Sequence, residues 1–260
     1  MAEQDPVFTN MADFYDELAP FYHLIFPDWR TSVRRQGEQL SALIGSEWPG
    51  RRRRLLDVAC GIGTQAIGLA LQGFAVTASD LSAGAIARAR REAAQCGVHI
   101  GFSVCDMRQA HSHHGSGFDI VVCGDNSLPH LLTDADLRAA LKQMWACLSV
   151  GGGCIVTVRD YEREEREPNR VKPYGVRVEN GKRWLLFQVW DFEGDCYDLS
   201  LFVVEEDMTS GVVQPHVMRS RYHAVTTDHL CELMREAGFR DVRRIDGAFY
   251  QPVLVGTRHA

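Results

Sequence analysis

The chain has 260 residues, 45% of them hydrophobic and 24% charged, the make-up of one large globular domain with its own core and room for a small inserted one. Its formal net charge of −6 gives no general attraction to nucleic acid or to an anionic membrane, and no apolar run nears the ~18 residues of a membrane span. The eight cysteines are scattered without a C-x-x-C pair, the pattern of buried free thiols in a reducing compartment.

The N-terminal stretch "MAEQDPVFTNMADFYDEL" carries early acids and no apolar core, so it is not read as a secretory leader, and a cytoplasmic location is expected. Residues 1–50 are expected to supply helices that cap a site. "FYDELAPFYHLIF" reads as one amphipathic helix and "DWRTSVRRQGEQLSALI" as a second. The basic run Arg51–Arg54 is too short for a phosphate-binding patch and reads as a solvated approach to a strand.

Residues 51–160 alternate short apolar runs with helical patterns. The runs are "RLLDVAC", "FAVTASD", "HIGFSVCD", "FDIVVCGD" and "GGCIVTVRD"; the helices lie near Thr64–Leu71, Ser82–Cys96 and Asp134–Leu148. Strands alternating with helices through short turns predict an α/β fold, a doubly wound Rossmann-like sheet that is mostly parallel. His111, His113 and His114 sit among Gly and Ser in an expected loop, and no metal site is expected there. Residues 161–224 break the rhythm, with four strand-like stretches separated by turns such as Asn180-Gly181, and predict an inserted antiparallel sheet forming a substrate or lid region. Residues 225–260 resume the main fold with a helix near Asp228–Ala237, stopped by Gly238, and two closing strands near Val242–Ile245 and Pro252–Thr257.

In an open α/β sheet a ligand sits beyond the carboxyl ends of the strands. That rule gathers Asp57 to Gly63, Asp80, Asp106 and Gly124 to Ser127 on one rim. The segment "LLDVACGIGTQA" satisfies the G-x-G-x-x-[GA] pattern of dinucleotide sites, yet Asp57 just ahead of the glycines would repel a pyrophosphate. A cation is better matched, and S-adenosylmethionine is one: it has a sulfonium, an ammonium, a ribose and an adenine, and no phosphate. Asp80 is then placed to accept the ribose hydroxyls and Asp106 the adenine amino group. Helix capping is the alternative role for each acid taken singly.

Together "LLDVACGIGTQA", "VTASDLS", "CDMR" and "FDIVVCGDNSLPHL" resemble the successive motifs of class I S-adenosylmethionine-dependent methyltransferases, from about Phe14 onward. The resemblance implies a seven-stranded sheet with an antiparallel last strand, S-adenosylmethionine as cofactor and S-adenosylhomocysteine as product. It implies cofactor contacts at Asp57, Ala59, Gly61, Gly63, Asp80, Leu81, Asp106, Met107 and Gly124; from the N-terminal helices, Tyr22 is a further cofactor candidate, and Trp29 and Arg30 are candidates to cover the cofactor. "DNSLPHLLTD" and "TVRDYE" look like segments of glycine and sarcosine N-methyltransferases that bind the small amino acid, which implies Asn126 and Arg159 as acceptor contacts. Asp125 and Asp160 depart from those segments, replacing a glycine and an asparagine, and make the pocket more acidic.

Arg159 at a strand's carboxyl end also reads independently as a bidentate carboxylate grip, or else as the partner of Asp160 or Glu162. Asn126 holds an acceptor or shapes a turn before Pro129; His130 orients an acceptor or is structural. Tyr15 and Tyr22 form a lid near the transferred methyl or simply pack on the sheet. Tyr22, Asn126, His130 and Arg159 are thus the catalytic candidates. The expected partner is a small-molecule acceptor, glycine- or sarcosine-like or else a larger natural product; nucleic acid and membrane are not expected, and a homo-oligomer is.

Overall fold

The computed structural model describes residues 11–50 and 54–260. The first ten residues and most of the basic run therefore lie outside the described residues. The chain order begins with α1 (Met11–Leu18), a 3-10 turn (Tyr22–Ile25) and α2 (Trp29–Glu47). Where one helix was expected over "FYDELAPFYHLIF", two pieces form. Pro20 lacks the N–H that would continue the ladder and disfavours helical backbone at Ala19, so the chain turns and restarts. Asp28 caps α2, its carboxylate accepting from Thr31 N at 3.0 Å.

The alternating region then lays down β1 (Arg54–Asp57), α3 (Thr64–Leu71), β2 (Ala75–Asp80), α4 (Ala83–Gln95), β3 (Gly101–Val104), α5 (Ala110–His114), β4 (Phe118–Cys123), α6 (Asp134–Cys147) and β5 (Leu148–Thr157). The histidine cluster lies on the short α5 rather than in a loop, because Gly115 at φ 71° stops the helix only after His114. After the inserted stretch come α7 (Thr227–Glu236), β10 (Arg240–Ile245) and β11 (Val253–Thr257). The seven strands order as β10-β11-β5-β4-β1-β2-β3, with β11 antiparallel to both β5 and β10 and the central pairs parallel.

Strand alternation splits the core into two layers. Leu56, Val121, Cys154 and Leu254 point to the face covered by α6 and α7. Leu55, Ile120, Ile155 and Val255 point to the face covered by α2 and α3. On that face two glycines let helices meet backbone to backbone: a Cβ on Gly68 would lie 2.4 Å from the Val33 carbonyl oxygen.

A second, four-stranded antiparallel sheet is built from β6 (Arg170–Glu179), β7 (Lys182–Glu193), β8 (Cys196–Asp207) and β9 (Val213–His223) in that order. Its inner face, including Leu186, Trp190, Tyr197, Leu199 and Tyr222, packs on Phe14, Leu18 and Leu24 from the N-terminal segment. Exposed Val171, Val176, Val178 and Leu185 project from β6 and β7. Among the described residues no helix is long and apolar enough to cross a membrane, and no group of three or more His, Cys, Asp or Glu is placed to hold a metal ion.

Candidate active site

The carboxyl ends of β1, β2 and β3 open onto a cavity lined by Tyr15, Tyr22, Val58, Ala59, Gly61, Asp80, Leu81, Asp106, Met107, Ser127, His130 and Leu131, with Met11 and Cys105. At its base Asp57 is 1% exposed. Its Oδ1 accepts from Ala59 N at 3.2 Å, while Oδ2 is buried without a partner. Burial pushes this carboxyl up to about 7; the Ala59 N–H works against the rise and the charge of Asp80 adds to it.

Gly61 adopts φ 52° and donates its N–H to Asp80 Oδ2 at 2.7 Å, while Asp80 Oδ1 accepts from Ser82 N at 2.9 Å. A side chain at Gly61 would collide with the Tyr22 ring, its Cβ only 2.9 Å from the ring edge, so the turn and the tyrosine are fitted to each other. Burial raises the Asp80 carboxyl above its ordinary range, opposed by those backbone donors. Asp106 caps the next turn and pairs with Arg108 at 2.6 Å; burial pushes its carboxyl up, but Arg108 prevails and holds it below the usual value. Arg108 pairs in addition with Asp136 at 2.7 Å.

Above this floor Tyr15 Oη lies 2.7 Å from His130 Nε2, and the His130 ring sits 4.0 Å from that of Tyr222. Burial, with help from the Arg159 charge, lowers His130 to about 3, so it stays neutral at ordinary pH. Burial likewise raises the hydroxyls of Tyr15 and Tyr22 well above their usual value. The rim thus offers three carboxylates, a glycine turn and a roof of neutral hydroxyls.

A model of the methyltransferase domain matches residues 55–152. A glycine/sarcosine N-methyltransferase of Parasynechococcus marenigrum (strain WH8102) is 33% identical over 136 residues, 52% of this chain and 47% of that protein. A dTDP-3-amino-3,6-dideoxy-alpha-D-glucopyranose N,N-dimethyltransferase of Streptomyces fradiae is 33% identical over 60% of this chain and 58% of its own length. The chain therefore spans only about half the length of these curated relatives. In fold, the structure of an S-adenosylmethionine-bound amino pentose methyltransferase from Micromonospora echinaspora superposes with a TM-score of 0.76 at 20% identity, covering 98% of this chain and 99% of that one. Residues 55–152 thus match a methyltransferase domain, and the whole chain shares the fold of that S-adenosylmethionine-bound enzyme.

The residues present fit S-adenosylmethionine, the molecule bound in that amino pentose methyltransferase. The orphan Oδ2 of Asp57 is a buried acceptor that only a donor from outside the protein can satisfy, and the ammonium of S-adenosylmethionine is such a donor. Gly61 keeps the backbone beside Asp80 open, and Leu81 and Met107 offer apolar walls at the same rim.

The cavity gathers most, but not all, of the residues expected from sequence. Tyr22, Ala59, Gly61, Asp80, Leu81, Asp106, Met107 and His130 line the cavity; Asp57, buried and bonded to Ala59 N, is not itself one of its walls. Gly63 instead serves packing: at φ 93° it starts α3, and a Cβ there would meet Ile67 at 2.9 Å. Gly124 lies against the Gln65 side chain, off the cavity wall. Arg30 does not cover the cavity. The cap at Asp28 turns Trp29 inward, where its Nε1 donates to Thr64 Oγ1 at 2.9 Å, and Arg30, next around the helix, faces α4 and bonds Gln95 at 2.7 Å.

A second cavity, about 530 Å³, lies on the far side of Tyr22 and Asp125 and is walled by Asp125, Arg159, Tyr174 and Tyr250, with Arg35, Asp160, Arg163 and Glu164 at its charged side. Arg159 Nη1 donates to Tyr197 Oη at 3.1 Å and its guanidinium lies 4.8 Å over the Trp190 ring. Its expected acidic neighbour does not hold it: Asp160 pairs with Arg244 at 2.6 Å and with Arg163 at 3.2 Å. Among the described residues Arg159 forms no ion pair. Asn126 is 3% exposed, at φ 64°, and lines neither cavity. Its Nδ2 donates to Tyr161 Oη at 2.8 Å and its Oδ1 accepts from Arg159 N at 3.0 Å, so it anchors Arg159. Tyr174 and Tyr250 were not singled out from sequence. Tyr250 was within reach: β11 runs antiparallel to β5, pairing Val253 with Thr157, so the residues before it return to the carboxyl end of β5.

Proposed function

We propose that this methyltransferase transfers a methyl group to the amine of a small acceptor that carries an anionic group, a carboxylate in the simplest case. One observation carries the reading: Arg159, half-buried among tyrosines beside the cofactor cavity, has no acidic partner among the described residues. A guanidinium so placed offers two parallel donors to a carboxylate. When bound, S-adenosylmethionine supplies an electrophilic methyl on a sulfonium.

The chain's own contribution is placement. Asp57 takes the ammonium, Asp80 the ribose hydroxyls through its remaining lone pairs, and Tyr22 closes over the glycine turn. Displacement at a methyl group asks mainly for a neutral amine held at about 3 Å, with no strong base. Tyr15 and Tyr22 remain neutral at working pH and can accept an N–H without bringing charge, while His130 fixes Tyr15. The released proton then passes to water.

A second reading, an amino sugar or other larger amine as acceptor, is favoured by the roughly 530 Å³ of the second cavity and by what the Streptomyces fradiae relative's name says of that protein. A turnover screen with methyl-labelled S-adenosylmethionine across glycine, sarcosine, longer amino acids, amino sugars and simple phenols separates the two. Arg159→Ala should keep S-adenosylhomocysteine binding and lose turnover; an unchanged acceptor KM in that variant overturns the clamp.

A further inference from the structure

We propose that Asp125 is a specificity-determining residue which, with Arg159, makes the second cavity a receptor for a zwitterion: an acceptor whose protonated amine is selected by Asp125 and whose anionic group is held by Arg159. The inference rests on the methyltransferase reading above and names the acceptor class for the same site.

Three observations carry it. The first is charge. Asp125 and Arg159 are both half-buried walls of one cavity, and among the described residues neither forms an ion pair, with each other or with a third group. Half-buried charges without a counter-charge are costly to keep, and the other charged walls of this cavity do not supply one: Asp160 pairs with Arg163 and Arg244, Glu164 pairs with Lys172, and Arg35 is exposed. An acceptor bearing both charges neutralises the two residues at once.

The second is backbone. Asp125 sits at φ 53°, a left-handed conformation that glycine takes most freely and that aspartate takes more readily than most side chains. Glycine could make the same turn, and the carboxylate bonds two tyrosines, so the turn itself does not require the charge.

The third is orientation. Tyr250 Oη donates to Asp125 Oδ1 at 2.6 Å, and Tyr22 Oη lies 3.4 Å from Oδ2. The two tyrosines fix the carboxylate without neutralising it. Tyr22 also lines the cofactor cavity, so Asp125 stands at the junction between the place that holds the methyl donor and the place that holds Arg159. A carboxylate there draws amines in their abundant protonated form to the entrance of the site, and it discriminates against phenols and neutral alcohols.

The test is a calorimetric binding series on the whole chain, with and without saturating S-adenosylhomocysteine. The probes are glycine, β-alanine, γ-aminobutyrate and ε-aminocaproate, each beside the acid lacking the amine and the amine lacking the acid. At least one amino acid should bind at least about tenfold tighter than both of its single-charge analogues, the ordinary worth of one charge-assisted hydrogen bond. Asp125→Asn should lower that amino acid to the level of its deaminated analogue, and Arg159→Met to the level of the amine. Retained S-adenosylhomocysteine binding reports folding. Asp125→Gly, natural at that φ, stands in should the asparagine variant fail to fold.

The proposal is overturned by amino acids that bind no tighter than the deaminated acids, by no binding of any probe, or by an Asp125→Asn variant with the wild-type preference. Failure of S-adenosylhomocysteine itself to bind would strike the proposed activity instead, and the series without the nucleoside still reads the charge pair.

Discussion

The unpartnered Oδ2 of Asp57 sets a measurable pH dependence. Its carboxyl titrates at about 7 in the folded protein and near 3.9 when unfolded. Between those values the folded state holds a proton that the unfolded state has lost, so this group's contribution to stability falls as pH rises from about 4 through 7. His130 acts in the opposite sense. Neutral down to about 3 when folded but protonated below ~6.5 when unfolded, it withdraws stability as pH falls through that interval. Asp57→Asn should therefore raise the Tm of the ligand-free protein at pH 8 by at least about 3 °C, with the gain shrinking by pH 5. The same change should weaken S-adenosylhomocysteine binding by roughly 10-fold or more, because an ionised acceptor is lost. Wild-type affinity should itself fall on acidification below about 7, as the carboxylate takes up a proton. Calorimetry and thermal melts at three pH values check all of this; an Asn variant that melts earlier than wild type at pH 8 contradicts the burial cost.

At the scale of elements, the tightest constraint is the α2–α3 crossing. A Cβ on Gly37 would lie 2.4 Å from the carbonyl carbon of Gly68, and one on Gly68 would meet Val33 O at 2.4 Å and Gly37 at 3.0 Å. Backbone cannot swing away as a flexible side chain does. Gly68→Ala should cost about 2 kcal/mol or more in urea unfolding, and the Gly37→Ala/Gly68→Ala pair less than the sum, since one displacement of α2 relieves both. The glycines were visible in the sequence, but their contact was not, because it joins helices separated by a strand. Elements whose signal is local were legible: alternation gave the strands, Thr133 and Ser82 marked helix starts, and strand ends gave the rim. Where the deciding partner is remote, the reading stayed open. Arg159 was weighed against the adjacent Asp160, yet Arg244, 84 residues on, settles where that acid goes. Whether Tyr22 was lid or packing depended on Gly61, which its ring touches. Asp106 is different: its partner Arg108 is only two residues on, so that pairing was local, and what the fold adds is that Asp106 also stays on the cavity wall.

Across the whole molecule, the site is assembled from both sheets. The segment bearing Tyr22 is held from two sides: Arg88 of α4 donates to the carbonyls of Ala19 and Pro20 at 2.6 and 2.9 Å, and Arg177 of β6 donates to that of Phe26 at 2.9 Å. Tyr161 Oη bridges Asn126, behind β4, and Tyr197 of β8, the latter at 3.1 Å, so the base of Arg159 is fixed jointly. The charge of Arg159 is kept free from further away still. Arg244, on the edge strand β10, takes Asp160 at 2.6 Å and is itself steadied by Thr227 Oγ1 at 3.0 Å. Releasing Asp160 would give Arg159 an internal counter-ion one residue along the chain, and an acceptor would then have to displace it. Arg244→Ala should therefore raise the acceptor KM by about tenfold, on the scale of one charged hydrogen bond, while S-adenosylhomocysteine affinity stays within about twofold. Asp160→Asn in the same background should restore KM, because the amide brings no charge to compete. An Arg244→Ala enzyme with unchanged KM would mean that Arg163, at 3.2 Å, holds Asp160 aside alone.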